Sequence, residues 1–220
     1  MVCGLQRLGG SRIMARDRQS IVKMSRREGY ALHPKAHKAL VKRTNKPGQG
    51  MQSRGGRGSK ASQYSLQLRE KQKVKRLYGL LEKQFSNLMK EADRRPGQSG
   101  QVLLQLLEQR ADNTIYRAGF ATSRRAARQL VTHGHFLLNG VRVDIPSIRM
   151  KAGDTLVIRP HSIKTEYFKK LDDVSPPPPE FPGWIKVDRK KVSVSVTGLP
   201  LRDDAEPDIN EQLIVEYYSR

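Results

Sequence analysis

Residues 1–76 hold 20 Lys and Arg against three Asp and Glu, and that imbalance limits what the stretch can become. Like charges repel on compaction, so such a segment gains little by folding on itself. Residues 1–63 are dominated by Gly, Ser, Pro, Lys and Arg, and "GQGMQSRGGRGSKAS" brings almost no apolar surface to bury. They read as an irregular basic arm that takes shape on a partner. Residues 77–220 hold 22 basic and 18 acidic side chains, the balance of an ordinary folded protein. The 220-residue chain carries a formal charge of +21, which suits a dense polyanion: nucleic acid first, an anionic membrane surface second.

One cysteine, Cys3, excludes an intramolecular disulfide and fits a reducing compartment. No apolar run is long enough to span a bilayer, and no secretory apolar region stands near the start. The opening "MVCGLQRLGGSRIMARDRQS" is basic and acid-poor, as an organellar presequence is, but lacks a clear amphipathic helix.

From Tyr64 the pattern changes. Val74, Leu77, Tyr78, Leu81, Phe85 and Leu88 recur at three- and four-residue steps, which predicts one helix near 66–92. "RRPGQSG" breaks it, and Leu103, Leu106 and Leu107 restart helical spacing to about Arg110. Ser123 is placed to cap a short helix with Ala126, Ala127, Leu130 and Val131 as its apolar stripe, stopped by Gly134. Phe136 and Leu138 then alternate, Asn139-Gly140 offers a tight hairpin turn, and Val141 and Val143 alternate back. After a turn at "MKAGD", "TLVIRP" reads as another strand. "DDVSPPPPEFPGW" predicts a stiff surface connection, and Val192, Val194 and Val196 alternate like a strand. "INEQLIVEYYSR" is amphipathic, with helix and strand both open.

The expected architecture is therefore α+β: a mostly helical basic N-terminal part, and a small α/β RNA-binding module of two short helices on a twisted hairpin sheet. Four segments follow: a basic extension and arm (1–63), a helical domain (64–110), the module (111–175), and a C-terminal segment packing back on the helices (176–220).

His133 and His135 invite a catalytic reading, but general acid–base work needs a second group of separated pKa and a dry pocket. Their neighbours are arginines, and Asp144 is the one carboxylate nearby in sequence. Cys3 has no histidine beside it, and neither a GxSxG elbow nor a GxxxxGK phosphate loop occurs. An enzyme is not expected. "HPKAH" sets His33 and His37 four apart, yet a structural zinc needs about four ligands and no others stand close. Polyanion binding asks for less. Arg124, Arg125 and Arg128 lie on the first turns of one helix, Arg124 and Arg128 on a shared face, where guanidinium groups can grip phosphate oxygens in pairs. Arg69, Lys71, Lys73, Lys75 and Arg76 add a helical stripe of the same sign. Cations held on a rigid module suit structured RNA, which is read mainly by shape, phosphates and 2′-hydroxyls.

Several long segments, in order, resemble the bacterial small-subunit ribosomal protein S-four family: "SRREG", "YSLQLREKQKVKRLYGLLEKQF", "LLQLLEQRADNTIYRAGFATSRRAARQLVTHGHFLLNGVRVDIPS" and "INEQLIVEYYSR". The similarity runs from about Met14, whose "MAR" matches the usual start of members, so residues 1–13 read as an extension. The central module is also found in RNA-modifying enzymes, but only about sixty residues follow "VIRP" here, too few for a catalytic domain. The resemblance implies direct binding to the 5′ domain of small-subunit rRNA, nucleation of assembly, a place along the mRNA entry path, contact with protein S-five, and a part in translational accuracy. It implies residence in the cytoplasm within the small subunit, with no membrane, no cofactor and no homo-oligomer.

The rRNA-binding residues implied are Arg26, Arg27, Arg69, Lys71, Lys73, Lys75, Arg76, Arg117, Ser123, Arg124, Arg125, Arg128, Gln129, His133 and Asn139, with Gly134, Phe136 and Gly140 structural. Many members hold zinc on four cysteines in the arm. Here Val22 and Ser25 stand at the first pair and His33 and His37 lie near the second, so no metal is expected, and Val22, Met24 and Leu32 must order that lobe by packing. The family's PGQHG-like loop is the longer "PGQGMQSRGGRG", from which Arg54, Arg57 and Lys60 are expected to face mRNA.

Overall fold

The computed structural model describes residues 19–43, 46–48 and 62–219. Two helices occupy part of the arm expected to be irregular: α1, Ile21–Glu28, and α2, Pro34–Lys42. Met24 and Leu32 are buried in the same apolar cluster as the later helices, so these few side chains overcome the unfavourable composition. Ser25, expected from the resemblance to stand at one of the zinc-ligand positions, is wholly buried; its hydroxyl donates to Ile21 O (2.8 Å) and accepts from Leu32 N (3.3 Å). That pair of bonds ties α1 to the approach to α2.

The single helix expected over 66–92 is two helices, α3 (Gln63–Leu77) and α4 (Glu82–Arg94). Gly79 makes the difference. At φ +64 it takes the left-handed conformation, with Gly79 N donating to Arg76 O and Leu80 N to Lys75 O, a glycine-dependent helix stop. The apolar period runs across this break because Leu80 and Phe85 pack into the same cluster as Val74 and Leu77. Helix α5 (Ser99–Glu108) contributes the fully buried Leu103, Leu106 and Leu107.

A second cluster begins with α6 (Ala111–Arg117) and α7 (Arg124–Thr132), which cover an antiparallel sheet. Ser123 caps α7 as expected, its hydroxyl accepting from Ala126 N at 3.2 Å, and Gly134 ends it at φ +70. Strands β1 (Phe136–Leu138) and β2 (Val141–Val143) join through Asn139 and Gly140, both at positive φ, the turn that matches strand twist. Strand β3 is Thr155–Ile158, and three short helices follow: α8 (Pro160–Ile163), α9 (Glu166–Lys169) and α10 (Leu171–Val174). Strands β4 (Ile185–Asp188) and β5 (Ser193–Val196) complete five strands in the order β2-β1-β3-β5-β4.

Residues 176–220, expected to pack back on the helices as one segment, divide between the two clusters. β5 pairs with β3, and Trp184, Ile185 and Val194 bury with Phe136 and Leu156, because the alternating valines find an open sheet edge. The tail is α11, Glu211–Tyr218, capped by the Asn210 side chain, and its fully buried Ile214 returns to the helical cluster. No described helix is long and apolar enough to cross a membrane.

Candidate nucleic-acid interface

The arginines of α6 and α7 sort by the face they occupy. Arg124, Ala127, Arg128 and Val131 follow a single helical stripe, and Ala127 and Val131 are buried. Arg124 and Arg128 therefore flank the packed side. The Arg124 guanidinium donates to Asn113 Oδ1 (2.9 Å) and Glu206 Oε1 (3.0 Å) and lies over the rings of Tyr78 and Tyr116. Arg128 donates to Gly79 O at 3.3 Å and stands 3.9 Å from Asp112. The structure places the shared face read in the sequence as a phosphate grip in the seam between helices and module.

Arg117 is bound in the same seam. Its Nε and Nη2 donate to the two oxygens of Glu108 at 3.0 and 2.9 Å, and the Glu108 side chain is fully buried. Tyr78 Oη and Asn113 Nδ2 donate to the same carboxylate at 2.6 and 2.7 Å. Burial alone would raise the Glu108 carboxyl, but the charge and hydrogen bonds of Arg117, with help from Arg124 and Tyr78, hold it below its ordinary value. Arg117 and Arg124, both expected to bind rRNA, thus complete a buried network within the protein that fixes the frame.

The α3 stripe is likewise paired within the protein. Arg69 and Arg76 both donate to Glu28 of α1, whose side chain is fully buried. Burial keeps the Glu28 carboxyl above its ordinary value in spite of both guanidinium groups, and its Oε2 has no hydrogen-bond partner among the described residues. Lys71 and Lys75 converge on Glu82, at 2.6 and 2.9 Å; against the opposing effect of burial they hold its carboxyl at about 2. Lys71 is only 4% exposed and sits over the Tyr217 ring. Lys73 binds Glu70 and Asp208 O. These five cations hold α1, α4 and α11 around α3, so the open stripe expected from spacing is absent among the described residues. Glu70 and Glu82 stand close to these lysines in the sequence, but Glu28 lies 41 residues from Arg69 and 48 from Arg76, a pairing that only the fold brings about.

Arg125, Gln129 and His133 occupy the opposite, exposed side of α7. Arg125 reaches Gln19 O at 3.5 Å, which brings the start of α7 beside the start of α1. Its charge also reaches His33, whose imidazole is held below its ordinary value by burial, then by Lys35 and Arg125. The exposed Lys23 of α1 and Lys35, Lys38 and Lys42 of α2 add cations that were missed when the arm was read as irregular, and they stand beside the exposed Arg27 of α1, which the resemblance did name. Pro34 after His33 was the available signal: His33 Nδ1 accepts from Lys35 N at 3.0 Å, and Pro34 opens the helix. Arg26 is half-buried on α1. Asn139 locks its turn to β3, its carbonyl accepting from Thr155 N and its amide donating to Asp154, both at 2.9 Å.

His33 caps α2 and His37 is exposed, and no group of three or more metal-ligating side chains occurs among the described residues. Arg54, Arg57, Lys60 and Cys3 lie outside the described residues.

Comparison with known proteins gives this geometry a family. Residues 16–108 match the model described as "Ribosomal protein S4/S9 N-terminal domain", and residues 109–156 match "S4 domain". "Small ribosomal subunit protein uS4" of Chlorobium limicola is 49% identical over 208 residues, covering 94% of this chain and the whole of that relative. The chain belongs to the uS4 family. The proteins of the same name from Roseiflexus sp. (strain RS-1) and Clostridioides difficile are each 46% identical, again over 94% of this chain and their full length. The uS4 family consists of ribosomal proteins and not enzymes. The boundary between the matched domains falls after Glu108, so the buried Glu108–Arg117 pair joins one domain to the other.

Proposed function

We propose that this uS4-family chain is a structural binder of small-subunit rRNA, presenting the outer face of α7 and the α1–α2 pair to the phosphates of folded RNA. The observation that carries the reading is the division of α7. Arg124 and Arg128 are held in the seam, while Arg125, Gln129 and His133 stand outside on a helix that cannot roll. Donors fixed in this way meet one RNA shape and not any phosphate, since little side-chain and backbone freedom remains to be lost on binding. Arg26, Arg27 and the lysines of α1 and α2 extend the same positive surface. Hydroxyl-radical footprinting of a 5′-domain transcript tests the reading. The chain should protect a compact set of backbone positions, and Ala at Arg125, Gln129 and His133 together should thin that protection without lowering Tm. Protection untouched by the triple variant would contradict it.

The same reading extends to early binding that nucleates assembly, contact with protein S-five, and a basic loop at Arg54, Arg57 and Lys60 facing mRNA where it enters, with consequences for accuracy. Its support is the family resemblance and the sign of the charge at those positions. Crosslinking of assembled subunits should join the 54–60 segment to mRNA and the chain to protein S-five. Order-of-addition reconstitution should stall when this chain is withheld.

A further inference from the structure

A second group of basic side chains lies on the sheet and meets the outer face of α7 at His133. Phe136 pairs with Val143 and with Ile158, and these three side chains are buried. Side chains alternate along a strand, so the neighbours His135, Arg142 and Arg159 belong to the opposite face. The backbone supports that register at the strand ends, where Arg159 N donates to His135 O at 2.8 Å. His133 joins them across the end of α7, its ring centroid 5.9 Å from that of His135.

Gly134 lets the cluster close. A Cβ on Gly134 would collide with the Arg142 guanidinium, so the guanidinium approaches bare backbone at the residue between His133 and His135 in the chain. Among the described residues, neither Arg142 nor Arg159 has a carboxylate within ion-pair distance. Most arginines of the seam and of α3 are neutralised by acids; this pair is not.

We propose that His133, His135, Arg142 and Arg159 form a site for one phosphate group of an RNA backbone, and that its occupation is coupled to proton uptake by a histidine. The inference rests on the rRNA-binding reading above and adds a site and its regulation. The charges acting on His135 are all positive: His133 from α7, Arg142 from β2 and Arg159 after β3. The other elements touching it contribute neutral groups, Ser162 Oγ of α8 at 3.0 Å from Nδ1 and the Phe168 ring of α9. Burial first, and then those three cations, hold the His135 imidazole below its ordinary value, so it is neutral at pH 7 with the site empty. An arriving phosphate offsets the repulsion and favours the imidazolium. The Ser162 hydroxyl can donate to the neutral ring or accept from the charged one, so protonation breaks no bond.

The bound state then holds more protons than the free state. Affinity is greatest at low pH and is lost as pH rises through the bound-state value. Filter binding of the full chain to a 5′-domain transcript at pH 6 and pH 8 tests this. The unmodified chain should lose affinity a few-fold between them, within the roughly tenfold ceiling that a shift of one pKa unit sets. His135→Asn should flatten the dependence, and Arg142→Ala with Arg159→Ala should lower the salt slope by about 0.7–0.9, one phosphate's worth. A pH-independent affinity, or an unchanged slope in the arginine double variant while Ala at Arg125 and Gln129 together still weakens binding, overturns the inference and spares the reading. If no transcript binds, the reading itself falls, and NMR titration with inorganic phosphate decides the site. An upward move of the His135 midpoint supports it, and a fixed midpoint sinks it.

Discussion

Replacing Arg117 with alanine removes two of the four hydrogen bonds on the Glu108 carboxylate and leaves a fully buried charge with Tyr78 and Asn113 alone. Taking one partner from a buried ion pair costs about 3–5 kcal/mol. Arg124 lies close enough to stabilise the remaining charge, which sets the expectation near the lower end, about 3 kcal/mol. That is a large share of the roughly 5–15 kcal/mol of a typical domain. The damage falls on a seam, so the two clusters should separate in their unfolding. Trp184 is the only tryptophan and lies in the sheet cluster, so its fluorescence follows the module, while far-UV circular dichroism follows mainly the helices. In urea the two signals should coincide for the unmodified chain and part for the variant. Acidity gives a second reading. The folded Glu108 carboxyl lies below its ordinary 4.5, so its contribution is whole above that pH and lost as pH falls through the folded value. The Arg117→Ala chain should lack that acid-labile component. Coincident transitions with a stability change under about 0.5 kcal/mol would refute the claim that this pair couples the clusters.

Gly79→Ala meets no atom within 4 Å, so its cost is the left-handed backbone alone, about 1–2 kcal/mol, read as a Tm lower by roughly 2–8 °C; no change would mean that another conformation ends α3 equally well. Glu28→Gln should leave stability at pH 7 intact, because burial holds this carboxyl above its ordinary 4.5, so ionising it costs the fold stability as pH rises through the folded value, and glutamine removes that cost. The same variant releases Arg69 and Arg76, so transcript affinity should rise; a stability loss above about 1 kcal/mol would show that the two ion pairs outweigh the burial.

What was legible in the sequence was local. Ser123 as a cap, Gly134 as a stop and Asn139-Gly140 as a turn each depend on a few adjacent residues, and each stands where spacing put it. The resemblance carried the family, because long ordered segments leave little room for coincidence. The orientation of α7 was available too: Arg124 and Arg128 share the stripe of Ala127 and Val131, so they had to turn with the buried alanine and valine. Their charge was read before their position. Charge neutralisation was not legible. Arg76 meets a glutamate 48 residues away and Arg124 one 82 residues away, and only the folded chain brings them together. The arm's composition concealed α1 and α2, whose stability comes from Met24, Leu32 and Ala36 and not from any long apolar run.

The central claim is that a locked two-cluster frame directs an outward cationic face at rRNA phosphates. Its most direct test is the salt dependence of binding between the full chain and a 5′-domain transcript. With about eight phosphates neutralised, log affinity should fall against log salt with a slope of roughly −5 to −7, made shallower by the triple replacement at Arg125, Gln129 and His133. A slope near zero, or no binding at about 0.1 M salt, would contradict the account.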